Sequence, residues 1–173
     1  KECDWSSDVC SSDLWHVWDH LIQNYDSARK NYGTPASHPE LVDPNASPRK
    51  IPAFWNHMNS IDYNASFDQI ALSVRGNSEV WIIDRDRFEA KGKIEFLPPG
   101  MRKSDVTPVG LVMTKDGKTA YVTLGHAAHV AVVEVASKKT LAYILVGKRS
   151  WGITRSKDEK TLYVANGLGD DVT

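Results

Sequence analysis

Lys115-Asp-Gly-Lys-Thr-Ala-Tyr-Val-Thr123 returns as Lys157-Asp-Glu-Lys-Thr-Leu-Tyr-Val-Ala165, and Val109-Gly-Leu111 returns as Trp151-Gly-Ile153. Both matches share one step of 42 positions, from 115 to 157 and from 109 to 151. A unit of about 40 residues cannot bury an apolar face by itself, so a chain that repeats at this spacing must stack equivalent units. Within each unit a short apolar run precedes a Lys-Asp-Gly/Glu-Lys turn, and the run after the turn alternates Tyr and Val. That is the two-residue period of a half-buried strand. Val130-Ala-Val-Val-Glu-Val135 and Leu141-Ala-Tyr-Ile-Leu-Val146 supply two further strands, joined through Ser137 to Lys139. The pattern predicts four strands per unit.

A period of roughly 40 to 45 residues built from four short strands marks a β-propeller blade. The expected fold is all-β, an incomplete β-propeller of about two and a half to three four-stranded antiparallel blades, preceded by a helix and loop segment. Propellers close with roughly four to eight blades. A chain of this length is therefore expected to form an open fan, truncated at the C-terminus, with unpaired edge strands that favour association with a protein partner. Residues 85–173 resemble the YVTN-type propeller repeat, with Leu162-Tyr-Val-Ala-Asn166 in place of the signature. More narrowly, Phe96-Leu-Pro-Pro-Gly-Met-Arg102, Asp105-Val-Thr-Pro-Val109 and Val146-Gly-Lys-Arg-Ser-Trp-Gly152 resemble the propeller proteins associated with PQQ-dependent alcohol catabolism. That resemblance implies a noncatalytic, periplasmic binding or accessory scaffold.

The segment before it has a different texture. Gln69 to Val74 and Glu79 to Asp84 are β-rich runs separated by Arg75-Gly-Asn-Ser78, a hairpin turn signature. Ahead of them stands Trp55-Asn-His-Met-Asn-Ser-Ile-Asp-Tyr-Asn64, which places His57, Asn59 and Arg75 near strand ends. Residues 15–84 resemble the bacterial arylsulfotransferase family. There a His-x-Asn pair and an Arg after the next strand line the sulfuryl site. The resemblance implies transfer of a sulfuryl group from an aryl sulfate to a phenol through a sulfohistidine. Arg75 would hold two oxygens, while His57 and Asn59 would each donate one hydrogen bond to developing charge. The nucleophilic histidine of that family lies in a later blade. No residue after Arg75 matches its context, so no turnover is expected. The competing reading makes Asn59 and Arg75 partners of backbone carbonyls and His57 a packed strand-end residue. The two resemblances meet near Asp84, as an assembly chimera, a natural fusion, or one propeller whose blades differ in texture.

Residues 1–14 are set apart, because Asp4 to Leu14 matches the translation of a short-read sequencing adapter. Both cysteines, Cys3 and Cys10, fall within that segment. From Trp15 to Lys50, Trp15, Trp18, Ile22 and Tyr25 recur at helical spacing, which predicts an amphipathic helix over His16 to Lys30, with a strand at Trp15 to Trp18 as the rival. The Pro-rich stretch that follows is loop chemistry. His20 is a further site candidate on a long substrate-side loop implied by the sulfotransferase resemblance, set against the plain role of a hydrogen-bonded structural residue.

Charge excludes some partners. With 21 basic against 22 acidic residues and a net charge of −1, the chain lacks the basic excess of a nucleic-acid binder. No apolar run approaches the roughly 20 residues that span a bilayer. The expected small-molecule partner is an aryl sulfate or phenol, and neither a cofactor nor a metal is expected. His126 and His129 form a His-x-x-His pair with no third ligand at convincing spacing, and they are read as exposed turn residues. Asn45 and Asn64 match Asn-x-Ser without carrying weight.

Overall fold

The computed structural model describes residues 15–46, 56–87 and 90–173. The adapter-like segment and Trp55 lie outside them. Eleven strands occur among the described residues, arranged as three antiparallel sheets. The first sheet contains β1 (Met58–Asn64), β2 (Gln69–Val74), β3 (Glu79–Asp84) and β4 (Ala90–Glu95) in chain order. The second contains β5 (Pro108–Met113), β6 (Thr119–Leu124), β7 (His129–Glu134) and β8 (Lys139–Leu145). The third contains β9 (Ser150–Arg155), β10 (Leu162–Asn166) and β11 (Asp171–Val172). β5 lies beside β1 on one side and β9 on the other, so the first strands of successive sheets are neighbours. The result is an all-β, propeller-like fold in which the sheets form an open series and no closed barrel. The expected Gln69 to Asp84 hairpin forms, with Val74 opposite Glu79. β3 and β4 pair across the Asp84 position.

All three sheets are copies of one unit, although the repeat visible in the sequence covers only two. The residue that closes the turn between second and third strands is left-handed in each: Ser78 at φ 60°, Ala128 at φ 53° and Asp170 at φ 52°. From 78 to 128 to 170 the steps are 50 and then 42. The longer step comes from the connection out of the first sheet. Residues 96–107 carry a Pro-Pro-Gly turn and a short 3-10 turn at Lys103–Asp105, whereas only residues 146–149 join β8 to β9.

Alternation along the strands divides the apolar side chains between two faces. Ala71, Val80, Ile82 and Ile94 of the first sheet pack with Phe96, Leu111, Val122 and Val133 into the main core between the first two sheets. Leu72, Val74, Trp81 and Ile83 face the other way, where Val17 and Val42 cover them.

The predicted helix over His16 to Lys30 does not form, nor does the rival strand; only Val17–His20 makes a 3-10 turn. Gln23 explains why. Its buried amide oxygen accepts the backbone N–H of Tyr25 and of Asp26, both at 2.7 Å, and its Nε2 donates to the Asp26 carbonyl at 2.8 Å. This local turn takes backbone groups that a helix would need. Trp18 and Tyr25, two members of the expected apolar stripe, are 66% and 89% exposed. The segment is instead tied to itself by parallel bridges from Leu21 to Val42 and from Gln23 to Tyr32, while Val17 and Val42 pack on the first sheet.

Polar side chains fasten sheet to sheet. Ser73 Oγ donates to the Val109 carbonyl of β5 at 2.6 Å, and Thr123 Oγ1 donates to the Trp151 carbonyl of β9 at 2.9 Å. These are equivalent positions in successive units. Asn64 Nδ2 donates to the Gly117 carbonyl at 2.7 Å, while its Oδ1 accepts the N–H of Ser66. The Asn-x-Ser match at Asn64 is thus a buried clamp between sheets.

Candidate functional site

The start of the first strand, the turn between the second and third strands, and the connection from the preceding sheet all emerge on one rim. The rim is closed the same way three times. Arg75 N–H donates to the His57 carbonyl at 2.8 Å, Gly125 N–H to Thr107 at 2.8 Å, and Gly167 N–H to Arg149 at 2.9 Å. The fold therefore brings His57 and Arg75 together through their backbones, and the same closure occurs where the side chains are quite different. Asn59 is exposed on β1, within the register shift between Met58 and Ser60. That bulge displaces it from the regular pairing of β1 with β2.

Arg75 is half-buried, and its Nε has no hydrogen-bond partner among the described residues. Two positions on, Asn77 is fully buried, with both amide atoms likewise unpartnered. A turn is expected to face water. This one is covered because Ser78 Oγ reaches the carbonyls of Val106 at 2.7 Å and Lys103 at 3.2 Å, drawing the 96–107 connection over it.

Glu79 follows, 2% exposed, with its carboxylate accepting Trp81 Nε1 at 2.8 Å. Burial pushes the Glu79 carboxyl above its ordinary range; the Trp81 bond and the charges of Lys93 and Lys103 act in the opposite sense. Asn77 and Glu79 were not singled out by sequence reasoning. Polar residues in and after a Gly-Asn-Ser turn look solvent-facing, and the connection that covers them begins almost 20 residues later.

His20 lies in a separate group. Its ring stacks on Trp15 at 5.1 Å, and Trp15 meets Trp81 edge-on at 6.3 Å, on the face of the first sheet that the N-terminal segment covers. Its carbonyl accepts Val42 N–H at 2.7 Å.

His126 is exposed on its turn as expected. His129 instead begins β7, half-buried, with Nδ1 against the Ala127 carbonyl and its ring edge-on to Tyr143. The described residues contain no cluster of three or more His, Cys, Asp or Glu suited to a metal. On the third sheet, the Arg149 guanidinium lies 5.0 Å from the centre of the Trp151 ring, placing a second cation on the rim.

The opposite rim carries the best-formed ion pair. Asp68 receives Arg85 Nε at 2.6 Å and Nη2 at 3.0 Å, and also Tyr63 Oη at 2.6 Å. Arg85 and Tyr63 hold the Asp68 carboxyl below its ordinary range. Arg85 and the Tyr63 hydroxyl are exposed, so the cluster is a surface network that ties the β1–β2 turn to the end of β3.

The fold and rim together define a class: a propeller-like stack of repeated antiparallel sheets with a polar rim at the strand starts. Among solved structures the chain is similar to Kuenenia stuttgartiensis hydrazine synthase, with a TM-score of 0.54 and 25% identity over 64% of this chain and 31% of that one. It is also similar to a protein of unknown function from Bacteroides caccae, with a TM-score of 0.53 and 15% identity over 66% of this chain and 40% of that one. The chain thus spans less than half the length of either, and the second likeness shows the fold alone. No family model and no curated protein matches the sequence.

Proposed function

We propose that the His57–Arg75 rim binds an oxyanion, the sulfuryl group of an aryl sulfate, without turning it over. The observation that carries this reading is the buried, unpartnered Nε of Arg75, next in line to the buried and unpartnered Asn77 amide. A guanidinium nitrogen removed from water gains most from an anionic oxygen, because charge-assisted hydrogen bonds are about twice as strong as neutral ones. The neighbouring amide offers a second donor. The resemblance of 15–84 to the arylsulfotransferases supports sulfuryl as the anion and a periplasmic setting. Turnover requires an imidazole positioned to attack sulfur, and no residue after Arg75 in this sequence matches the context of that family's nucleophilic histidine.

Isothermal titration with 4-nitrophenyl sulfate tests the reading. Saturable binding that weakens at least about tenfold in Arg75→Ala supports it, since a fully desolvated charged contact is worth more than 1.4 kcal/mol. Equal binding by both proteins would sink it. Nitrophenol release in the presence of phenol would refute the absence of turnover.

A second reading is favoured by the use of Ser73, Thr123 and Asn64, whose polar groups join sheets instead of converging on a reaction centre. In that reading the chain is a noncatalytic scaffold of the YVTN type. Its binding of a protein partner would be insensitive to Arg75→Ala.

A further inference from the structure

His57, Thr107 and Arg149 occupy one position of the repeat, since each gives its carbonyl to the N–H that closes the rim of its own sheet. In the second sheet that position serves the fold: Thr107 Oγ1 accepts the His126 N–H at 2.8 Å. In the third it carries a cation. Arg149 closes the short 146–149 connection in the left-handed region, at φ 58°, a conformation that glycine adopts freely and arginine does not. Its guanidinium lies 5.0 Å from the centre of the Trp151 ring. Trp151 falls in the register shift of β9 between Ser150 and Ile153, as Asn59 falls in that of β1 between Met58 and Ser60. Arg149 and Trp151 are therefore the third-sheet counterparts of His57 and Asn59. Their backbone is held firmly: the Arg149 carbonyl accepts Gly167 N–H, the Trp151 carbonyl accepts Thr123 Oγ1, and Ser150 between them is fully buried.

We propose that Arg149 is a second oxyanion seat on the same rim, and that the ligand is one molecule bearing two sulfate ester groups, the first held at Arg75 and the second at Arg149. The proposal rests on the anion reading of the first seat. A guanidinium laid on an indole face keeps its N–H donors in its own plane, directed sideways, where two oxygens of one anion fit. Among the described residues no carboxylate ion-pairs with Arg149, whose contact is the Trp151 ring. Backbone strain kept at a position where glycine would be free of it points to a role for the side chain. The spacing then sets the ligand. β5 lies beside both β1 and β9, so the seats are two sheets apart, roughly 10–20 Å given the ~10 Å separation of packed sheets. A small aryl monosulfate fills one seat at a time, whereas a molecule with sulfates at both ends reaches both.

The test is isothermal titration of the full chain with ethylene-glycol oligomers of graded length, sulfated at one end or at both. The bis-sulfate whose length matches the span is expected to bind at least about tenfold tighter than its monosulfate, because the second contact becomes intramolecular, and shorter ones should lose that advantage. Arg149→Gly should bring the bis-sulfate down to the monosulfate's affinity while monosulfate binding at Arg75 persists. That substitution also removes the left-handed strain, so the loss does not reflect a lost fold. Arg149→Lys, which keeps the charge without the planar fork, should restore part of the advantage. Equal binding of bis-sulfates and monosulfates at every length, or an advantage that survives Arg149→Gly, overturns the second seat even where Arg75→Ala weakens 4-nitrophenyl sulfate as expected. If Arg75→Ala leaves 4-nitrophenyl sulfate binding unchanged, the first seat is wrong and the two-seat ligand falls with it.

Discussion

Thr123→Val isolates what one hydroxyl contributes to joining two sheets. Thr123 is fully buried; its Oγ1 donates to the Trp151 carbonyl at 2.9 Å and accepts Gly110 N–H at 2.8 Å. Valine keeps the shape and removes both bonds, leaving one acceptor and one donor out of reach of water. Each stranded group costs about 1–3 kcal/mol. The added methyl returns somewhat under ~1 kcal/mol of burial. A net loss of about 2–3 kcal/mol is expected, a large fraction of a typical domain's stability of about 5–15 kcal/mol. Ser73→Ala breaks the equivalent single bond to Val109 and should cost less, about 1–2 kcal/mol. Guanidinium unfolding followed by tryptophan fluorescence supplies both numbers, provided the slope with denaturant is unchanged. The exposed Thr161→Val serves as control, expected within about 0.5 kcal/mol of the parent. Hydrogen exchange adds location: amides of β9 and β10 should exchange faster in Thr123→Val, while those of β2 and β3 keep their rates. A Thr123→Val loss no larger than the control's, or faster exchange spread evenly over all three sheets, refutes the idea that these hydroxyls act as local clips between neighbours.

Two further substitutions probe the buried polar groups. Because burial raises the Glu79 carboxyl above its ordinary value of 4.5, the folded chain keeps this proton at pH values where the unfolded chain has lost it. Stability then falls as pH rises from 4.5 through the folded value and is level above it. Glu79→Gln, which retains an acceptor for Trp81 Nε1, should melt higher than the parent near pH 7, with the gain shrinking to nothing below pH 4.5; a gain that is flat with pH contradicts the assignment. Gly117 sits at φ 68°, and a Cβ there would overlap the Asn64 side-chain amide. Gly117→Ala should therefore cost about 1–3 kcal/mol in chemical denaturation. In the double-mutant cycle with Asn64→Ala, the combined loss should be smaller than the sum of the two, because the clash partner is already gone.

The sequence exposed the repeat where two units keep both spacing and residue identity, and that was enough for the sheet class and for the Gln69 to Asp84 hairpin. The first unit, expected as a propeller fragment, does not show the shared repeat in its residues because its connection is longer, which turns a step of 42 into one of 50, and because its strands share alternation with the others but few residues. Alternation is what packing requires, whereas identity is not, so a propeller-like stack constrains sequence only weakly away from its turns. The same weakness produced the helix error: a stripe of Trp and Ile at helical spacing is also what an irregular segment needs to cover a sheet, and the deciding group was the amide of Gln23, whose partners are its own neighbours. At the rim, residue types marked Arg75 as a candidate but said nothing of its surroundings. The turn that it opens is covered through Ser78 hydrogen-bonding the Lys103 and Val106 carbonyls, a contact between segments that no local pattern encodes. The anion reading accordingly rests on a turn buried by its neighbour. Ser78→Ala, which releases that cover while leaving Arg75 in place, separates a site made by sequence from one made by packing.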